Sequence, residues 1–268
     1  MGKITKISVQ QKNKERFNIF LDEEYAFAVY EGTLLKFQLV KGKELDELDV
    51  EEILYSDQIN KAYNAAVHYL SFRMRTEKEI EDYLKEKEYE PFITKEIVVR
   101  LKEQGYLNDR EFTNAYVRTQ VNTTLKGRGI IQKELLEKGV NKDIIGEVLE
   151  AEYSQETELE HAVKLVSKYA PKYKKDSFKI MIQKVEQALV RKGYAFSVIQ
   201  IAVEEAELEE DTSEEWEAIA KQAEKYHRKY AKLEGYEYKM KMKGALYRKG
   251  FGMDLIDRWL EENEENVL

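Results

Sequence analysis

The sequence predicts a mainly α protein: tandem three-helix repeats in an elongated curved array, preceded by a small antiparallel β segment. Three observations point there. The phrase LVRKGY at residues 189–194 returns as LYRKGF at residues 246–251. Only two prolines and thirteen glycines punctuate 268 residues, which favours long helices over a loop-rich β architecture. Three short runs near the N-terminus carry the alternation of half-buried strands.

Those runs come first in the chain. ITKISVQ (4–10), RFNIFLD (16–22) and YAFAVYE (25–31) read as strands, with alternation clearest at Phe17, Ile19 and Leu21. QKNKE (11–15) and DEE (22–24) are polar connectors of hairpin length. Leu34, Leu35 and Phe37 mark a short helix, and LVKGKELDEL (39–48) leads onward. A meander this small is marginal alone, so it is expected to pack on the first repeat.

The repeats follow. Read as a helix end, residues 189–194 place Gly193 just past the helix in the left-handed conformation, which glycine adopts at least cost. Leu189 and Tyr194 then stand where the apolar contact of a Schellman cap forms. Arg191 and Lys192 occupy the last turn, where the helix dipole favours cations. Leu246, Gly250 and Phe251 repeat the pattern, as do Leu135, Gly139 and Val140. Leu84 and Tyr89 repeat it with Glu88 in place of glycine, and LKEQGY (101–106) adds a further cap. The leucines at 84, 135, 189 and 246 lie 51, 54 and 57 residues apart.

A helical stripe marches with the caps: Ile59, Phe112, Leu159 and Trp216 each open an apolar i, i+3, i+4 pattern. A third short helix follows each cap, at residues 93–101, 143–149, 198–206 and 254–260. One unit is thus helix–helix–turn–helix. The chain divides into a β segment with its short helix (1–56) and four repeats (57–107, 108–153, 154–210, 211–268). For the repeated leucines, glycines and aromatics, packing alone accounts for the spacing.

Catalytic and metal patterns are missing. KGRG (126–129) is glycine-rich without being a phosphate-binding loop, and no nucleophile elbow is present. His68, His161 and His227 lack metal-ligand spacing and read as surface residues on helix faces. The expectation is a binding protein with no catalytic residues, metal or cofactor. There is no cysteine, which fits a reducing cytoplasm, and no apolar run long enough to span a bilayer.

Charge is segregated on a chain of net charge −8. Residues 204–217 hold nine acids and no base, which reads as an acidic linker between repeats. Residues 164–192 hold nine bases and two acids; residues 221–249 hold ten bases and three acids. Within these, SKYAPKYKKDSFK (167–179) and KYHRKYAKLEGYEYKMKMK (225–243) interleave bases with tyrosines, a composition suited to phosphates and unstacked bases. The alternative is a solvated helix with half-buried tyrosines.

The candidate partner-binding residues are Lys172, Lys174, Lys175 and Lys179 in repeat three, and Arg228, Lys229, Lys239, Lys241 and Lys243 in repeat four. Repeat two offers Arg110, Arg118, Lys126, Arg128 and Lys133; repeat one offers Arg73 and Arg75. The glycines at 127 and 129 either admit a partner closely or make a tight interhelical turn.

GYLNDREFTNAYV (105–117) followed by KGRGIIQKELLEKGV (126–140) resembles the signature of the RecX family of recombination regulators. ALVRKGYAFSVIQIAVEE (188–205) and LYRKGFGMDLIDRWLEE (246–262) resemble that family's later repeats. The resemblance implies a cytoplasmic bacterial modulator of RecA recombinase, lying in the groove of the RecA–DNA filament and damping its ATPase and strand exchange. Contact with single-stranded DNA and a monomeric state are further expectations. Against the compact members, the strand segment and a fourth repeat mark a longer form. The rival readings are a single-stranded nucleic-acid-binding module without a recombinase partner, and a scaffold for a protein peptide. Charge reversal at Arg118, Arg128 and Lys133 is expected to weaken regulation without unfolding the chain.

Overall fold

The structure, a computed structural model, describes residues 1–263; the end of the fourth repeat's span, 211–268, lies outside them. Strands β1 (Gly2–Val9), β2 (Arg16–Leu21) and β3 (Glu24–Tyr30) form the expected antiparallel meander. A fourth strand not anticipated, β4 (Glu44–Leu45), pairs with β1, giving the order β3-β2-β1-β4. Asp22 and Glu23 both take positive φ, 48° and 75°, as the tight connection from β2 to β3 requires. Helix α1 (Glu31–Lys36) is the short helix, with Phe37 as its C-cap.

Twelve further helices complete the described chain as four triplets. The first is α2 (Glu47–Leu70), α3 (Glu77–Glu86) and α4 (Pro91–Glu103). The second is α5 (Asp109–Thr123), α6 (Arg128–Glu137) and α7 (Lys142–Glu152). The third is α8 (Gln155–Tyr169), α9 (Phe178–Arg191) and α10 (Phe196–Glu205), with a 3₁₀ turn at Ala170–Tyr173. The fourth is α11 (Thr212–Tyr230), α12 (Gly235–Tyr247) and α13 (Met253–Glu262). Helix α2 starts at Glu47, so LDEL opens a helix through an Asp46–Asp49 capping box instead of linking to one.

Two compact units form: Met1–Phe112 with Glu137–Asn141, and Thr113–Leu136 with the residues from Lys142 onward. In the first unit, Ile4, Ile19, Phe27 and Val29 of the sheet bury against Leu39, Leu45 and Ile53. Asp57 ties sheet to α2: its carboxylate accepts from Arg16 Nη2 (3.0 Å), the Tyr30 N–H (2.6 Å) and Thr33 Oγ1 (3.2 Å). In the second unit the triplets hold their own cores, Val166, Val185, Leu189 and Ile199 in one, Ile219, Met242, Leu246 and Trp259 in the other.

The caps are Schellman motifs. At α9 the Tyr194 N–H donates to the Leu189 carbonyl (3.2 Å) and the Gly193 N–H to that of Val190 (2.9 Å), with φ +87° at Gly193. The ends of α3, α4 and α12 show the same pair of bonds.

Each later cap also docks on the second helix of the preceding triplet. In the first unit, Thr76 Oγ1 donates to the Lys138 carbonyl (2.7 Å) and the Glu77 N–H to Asp109 (2.9 Å). In the second unit the Gly127 N–H donates to the Lys192 carbonyl (2.8 Å) and the Arg128 N–H to Glu158 (3.1 Å). There too, Ser177 Oγ donates to the Lys249 carbonyl (2.6 Å) and the Phe178 N–H to Glu215 (2.8 Å). The joint repeats because the start of a helix exposes N–H donors and the Schellman turn exposes a carbonyl. A carboxylate from the next triplet's first helix completes it.

The KGRG glycines serve this joint. A Cβ on Gly127 would stand 2.6 Å from the Gly193 carbonyl carbon and oxygen, so the backbone they admit is the chain's own. The acidic run 204–217 is likewise more than a linker: Glu215 is buried in a joint, and Glu214 pairs with Lys174. His161 is a correction of another kind. It is buried, bonded to the Tyr153 hydroxyl (3.2 Å), and burial first of all holds its pKa below the usual value.

Candidate partner interface

The sixteen predicted cations fall into distinct settings. Between α2 and α3, Arg73 clamps Glu79 through both carboxylate oxygens (3.0 and 3.2 Å), and Lys138 adds a bond from the other side (3.1 Å). Burial alone would raise the Glu79 pKa; the bonds from Arg73, Lys138 and the Thr76 N–H overcome it and bring it to about 2. Arg75 lies with its guanidinium 3.6 Å from the Tyr69 ring centre, and Tyr69 stacks on Tyr83 at 4.0 Å.

In the second triplet Arg118 and Arg128 diverge. Arg118 is exposed and grips Glu152 through two bonds (2.6 and 2.7 Å). Such a solvent-facing pair exchanges readily for a partner's phosphate or carboxylate. Arg128 is three-quarters buried, 3.1 Å from buried Glu158, 2.8 Å from Glu150, and bonded to the Tyr153 carbonyl. Removing it strands a buried carboxylate at a cost of about 3 kcal/mol or more. Charge reversal there therefore acts on the fold, contrary to expectation, and leaves Arg118 as the informative position. Lys126 pairs with Glu134 at 2.6 Å, while Arg110 and Lys133 sit exposed on α5 and α6.

In the later triplets, Lys174 pairs with Glu214 and Lys243 with Asp257 (2.6 Å). Lys239 is half-buried on α12. Lys172, Lys175, Lys179, Arg228, Lys229 and Lys241 are exposed. Lys172 lies 5.0 Å from the Tyr169 ring centre and Lys229 5.6 Å from that of Tyr230, so the bases and tyrosines interleaved in sequence do meet in space.

A surface groove of about 300 Å³ within the second unit gathers part of this set. Lys126, Tyr169 and Tyr173 line it, together with Arg191, Lys192 and the apolar floor of Ile130 and Ala188. Arg191 and Lys192 carried a signal in the repeated phrase itself, but their place at a helix end gave a sufficient structural account of them. Their convergence with Lys126 depends on the joint, which docks the α9 cap against the start of α6. Among the described residues, no His, Asp or Glu cluster could hold a metal ion, and no helix is long and apolar enough to cross a membrane.

Comparisons with known proteins agree with this architecture. Family models for the regulatory protein RecX N-terminal domain match residues 2–46, and for its first and second three-helix domains residues 62–101 and 108–149. The model for the third three-helix domain matches twice, at 156–203 and 213–260. A protein named regulatory protein RecX from Bacillus subtilis is 48% identical over 97% of this chain and 98% of its own length. Its namesake from Listeria welshimeri is 47% identical over 98% of this chain and 97% of its own. A solved structure of regulatory protein RecX superposes with a TM-score of 0.69 at 38% identity, covering 76% of this chain and 100% of that one. RecX from Lactobacillus salivarius gives 0.55 at 34% identity, over 57% of this chain and 99% of that one.

Proposed function

Because the chain belongs to the RecX family of regulatory proteins, we propose that it binds the RecA recombinase–DNA filament and modulates it, mainly by inhibition, during DNA repair and recombination. The affected activities are strand exchange and the recombinase's ATP turnover. The role is regulatory, not catalytic, and is exercised in the cytoplasm by a monomer that needs no cofactor.

The supporting observation is the ordered run of family domains on a chain whose exposed cations meet tyrosines at a groove. Several such contacts along a polymer add through effective concentration, so each need be only weak. The five-segment division at residues 56, 107, 153 and 210 belongs to the same proposal, and limited proteolysis at 107, 153 and 210 checks its repeat boundaries, since residue 56 lies within α2.

The decisive experiment adds the protein to RecA assembled on single-stranded DNA and follows ATP hydrolysis. Turnover should fall at protein amounts comparable to recombinase; unchanged turnover overturns the proposal. Arg118→Glu should relieve the inhibition while leaving the melting temperature in place.

A second reading has the same groove in its favour: a single-stranded nucleic-acid-binding module with no recombinase partner. Equal inhibition of an unrelated DNA-dependent ATPase, through sequestered DNA, selects that reading instead.

A further inference from the structure

The residues of the groove beside α9 recur in the sequence one repeat later. Tyr169, Tyr173, Arg191 and Lys192 meet at that groove. Adding 57 residues to each gives Tyr226, Tyr230, Arg248 and Lys249, the same residue types in every case. The flanking lysines follow, with Lys168 and Lys172 matched by Lys225 and Lys229. Around the tyrosines, KYAPKYKK (168–175) thus parallels KYHRKYAK (225–232). Tyr226 and Tyr230 stack with ring centres 6.1 Å apart and planes 12° from parallel.

Capping alone does not explain this. Cations in a last turn do gain from the helix dipole. Yet the corresponding residues of the two earlier repeats are Glu86 and Lys87, and Glu137 and Lys138, a mixed pair in each. The first of those helices ends in the same pair of Schellman bonds, and the second is followed by a left-handed glycine, Gly139 at φ 83°. The doubly basic pair occurs in the two later repeats, where the tyrosines occur as well. No carboxylate among the described residues pairs with Arg191, Lys192, Arg248 or Lys249, and all four are exposed. Lys126, Lys174 and Lys243, by contrast, are held by Glu134, Glu214 and Asp257.

The ion pair that borders the first site has a sequence counterpart of reversed polarity. Lys126 with Glu134 borders the first site, at 2.6 Å. Fifty residues on, Asp176 pairs with Lys184, also at 2.6 Å.

We propose that repeats three and four carry two equivalent sites for single-stranded nucleic acid. In each, the Arg–Lys pair takes backbone phosphate and the two tyrosines take unstacked bases. The site built on Arg191 and Lys192 also has Lys126 on its rim, in its pair with Glu134. This rests on the reading that the protein works on a DNA-bound filament, and it assigns the DNA contact to two named places.

The test is fluorescence anisotropy of the full chain with a labelled oligothymidylate across a salt series. The R191Q/K192Q and R248Q/K249Q variants should each bind about tenfold more weakly than the parent. Each pair should flatten the logarithmic salt dependence by about 1.4, as the loss of two phosphate contacts on a single strand requires. A fully abasic strand of equal length should bind the parent about tenfold more weakly than the oligothymidylate, which reads the tyrosines without mutating partly buried rings. All four side chains are exposed, so helicity and melting temperature should match the parent.

A fourfold variant that binds within twofold of the parent, with the same salt slope, overturns the proposal. So does a variant that keeps oligothymidylate binding but loses RecA inhibition, since the surface then addresses protein. That second outcome leaves the regulatory reading standing. Normal losses of DNA binding in a parent that never inhibits RecA reject the regulatory reading and keep the two sites.

Discussion

Glu88 and Gly193 stand at the same place in their repeats, two residues past the second helix, and both adopt positive φ, 62° and 87°. The first is an ordinary L residue; the second is glycine. The difference lies in what each faces. A Cβ on Gly193 would sit 2.4 Å from the Ile130 nitrogen, because the α9 cap docks on the start of α6. Glu88 is exposed and belongs to the first triplet, so no preceding repeat packs on its turn. Left-handed φ costs a non-glycine residue about 1–2 kcal/mol, which a stable fold absorbs. A backbone atom at 2.4 Å is not absorbed without moving the joint. Glycine at this position therefore records a neighbour more than a conformation. Gly105, at the end of the third helix of its triplet, is the converse case: φ is 74° and nothing lies within 4 Å of its absent Cβ, so there glycine answers to conformation alone.

That contrast can be broken in graded ways. Gly193→Ala should be the most damaging, losing about 3–4 kcal/mol from strain and overpacking together, read as a fall in the denaturant midpoint. Arg128→Ala should cost about 3 kcal/mol, since Glu158 stays buried without its cation, whereas Arg118→Ala should leave the midpoint nearly unchanged.

Acid should separate the joints. The Glu79 carboxyl is depressed to about 2 in the folded chain against an ordinary value of 4.5. Its contribution is full above pH 4.5 and is lost as pH falls toward 2, about 3 kcal/mol in all. The stability gap between parent and Glu79→Gln should shrink by that amount over this window. Glu215 behaves oppositely: burial raises its pKa, so its charged form disfavours folding increasingly as pH rises through that value. Glu215→Gln, which keeps an acceptor for the Phe178 N–H, should hold or gain stability at neutral pH.

A smaller loss, about 1–2 kcal/mol, is expected for Thr76→Val and for Ser177→Ala, each of which removes a side chain that both caps a helix and donates across a joint. Glu88→Gly is expected to change least, within about 1 kcal/mol, because relief of strain is offset by a floppier unfolded chain.

Local chemistry made much of the molecule readable in advance. Helix ends, the leucine and aromatic of each cap, the apolar stripes and the meander all depend on residues within a few positions of each other, where turn geometry and periodicity act directly. Family resemblance was legible for the same reason, since it resides in those short phrases. Three things depended on residues thirty to seventy positions apart that packing brings together. Asp109, Glu158 and Glu215 look like any acids on an acidic chain until each is found capping a helix of the preceding repeat. Arg118 and Arg128 are neighbours in composition, yet one faces water and the other is sealed against a buried carboxylate. Lys126 meets Arg191 and Lys192 only because the Gly127–Gly193 contact aligns two repeats. Periodicity tells which side of a helix is apolar; which charges are neutralised and which remain for a partner is decided by burial and by what the fold sets opposite them.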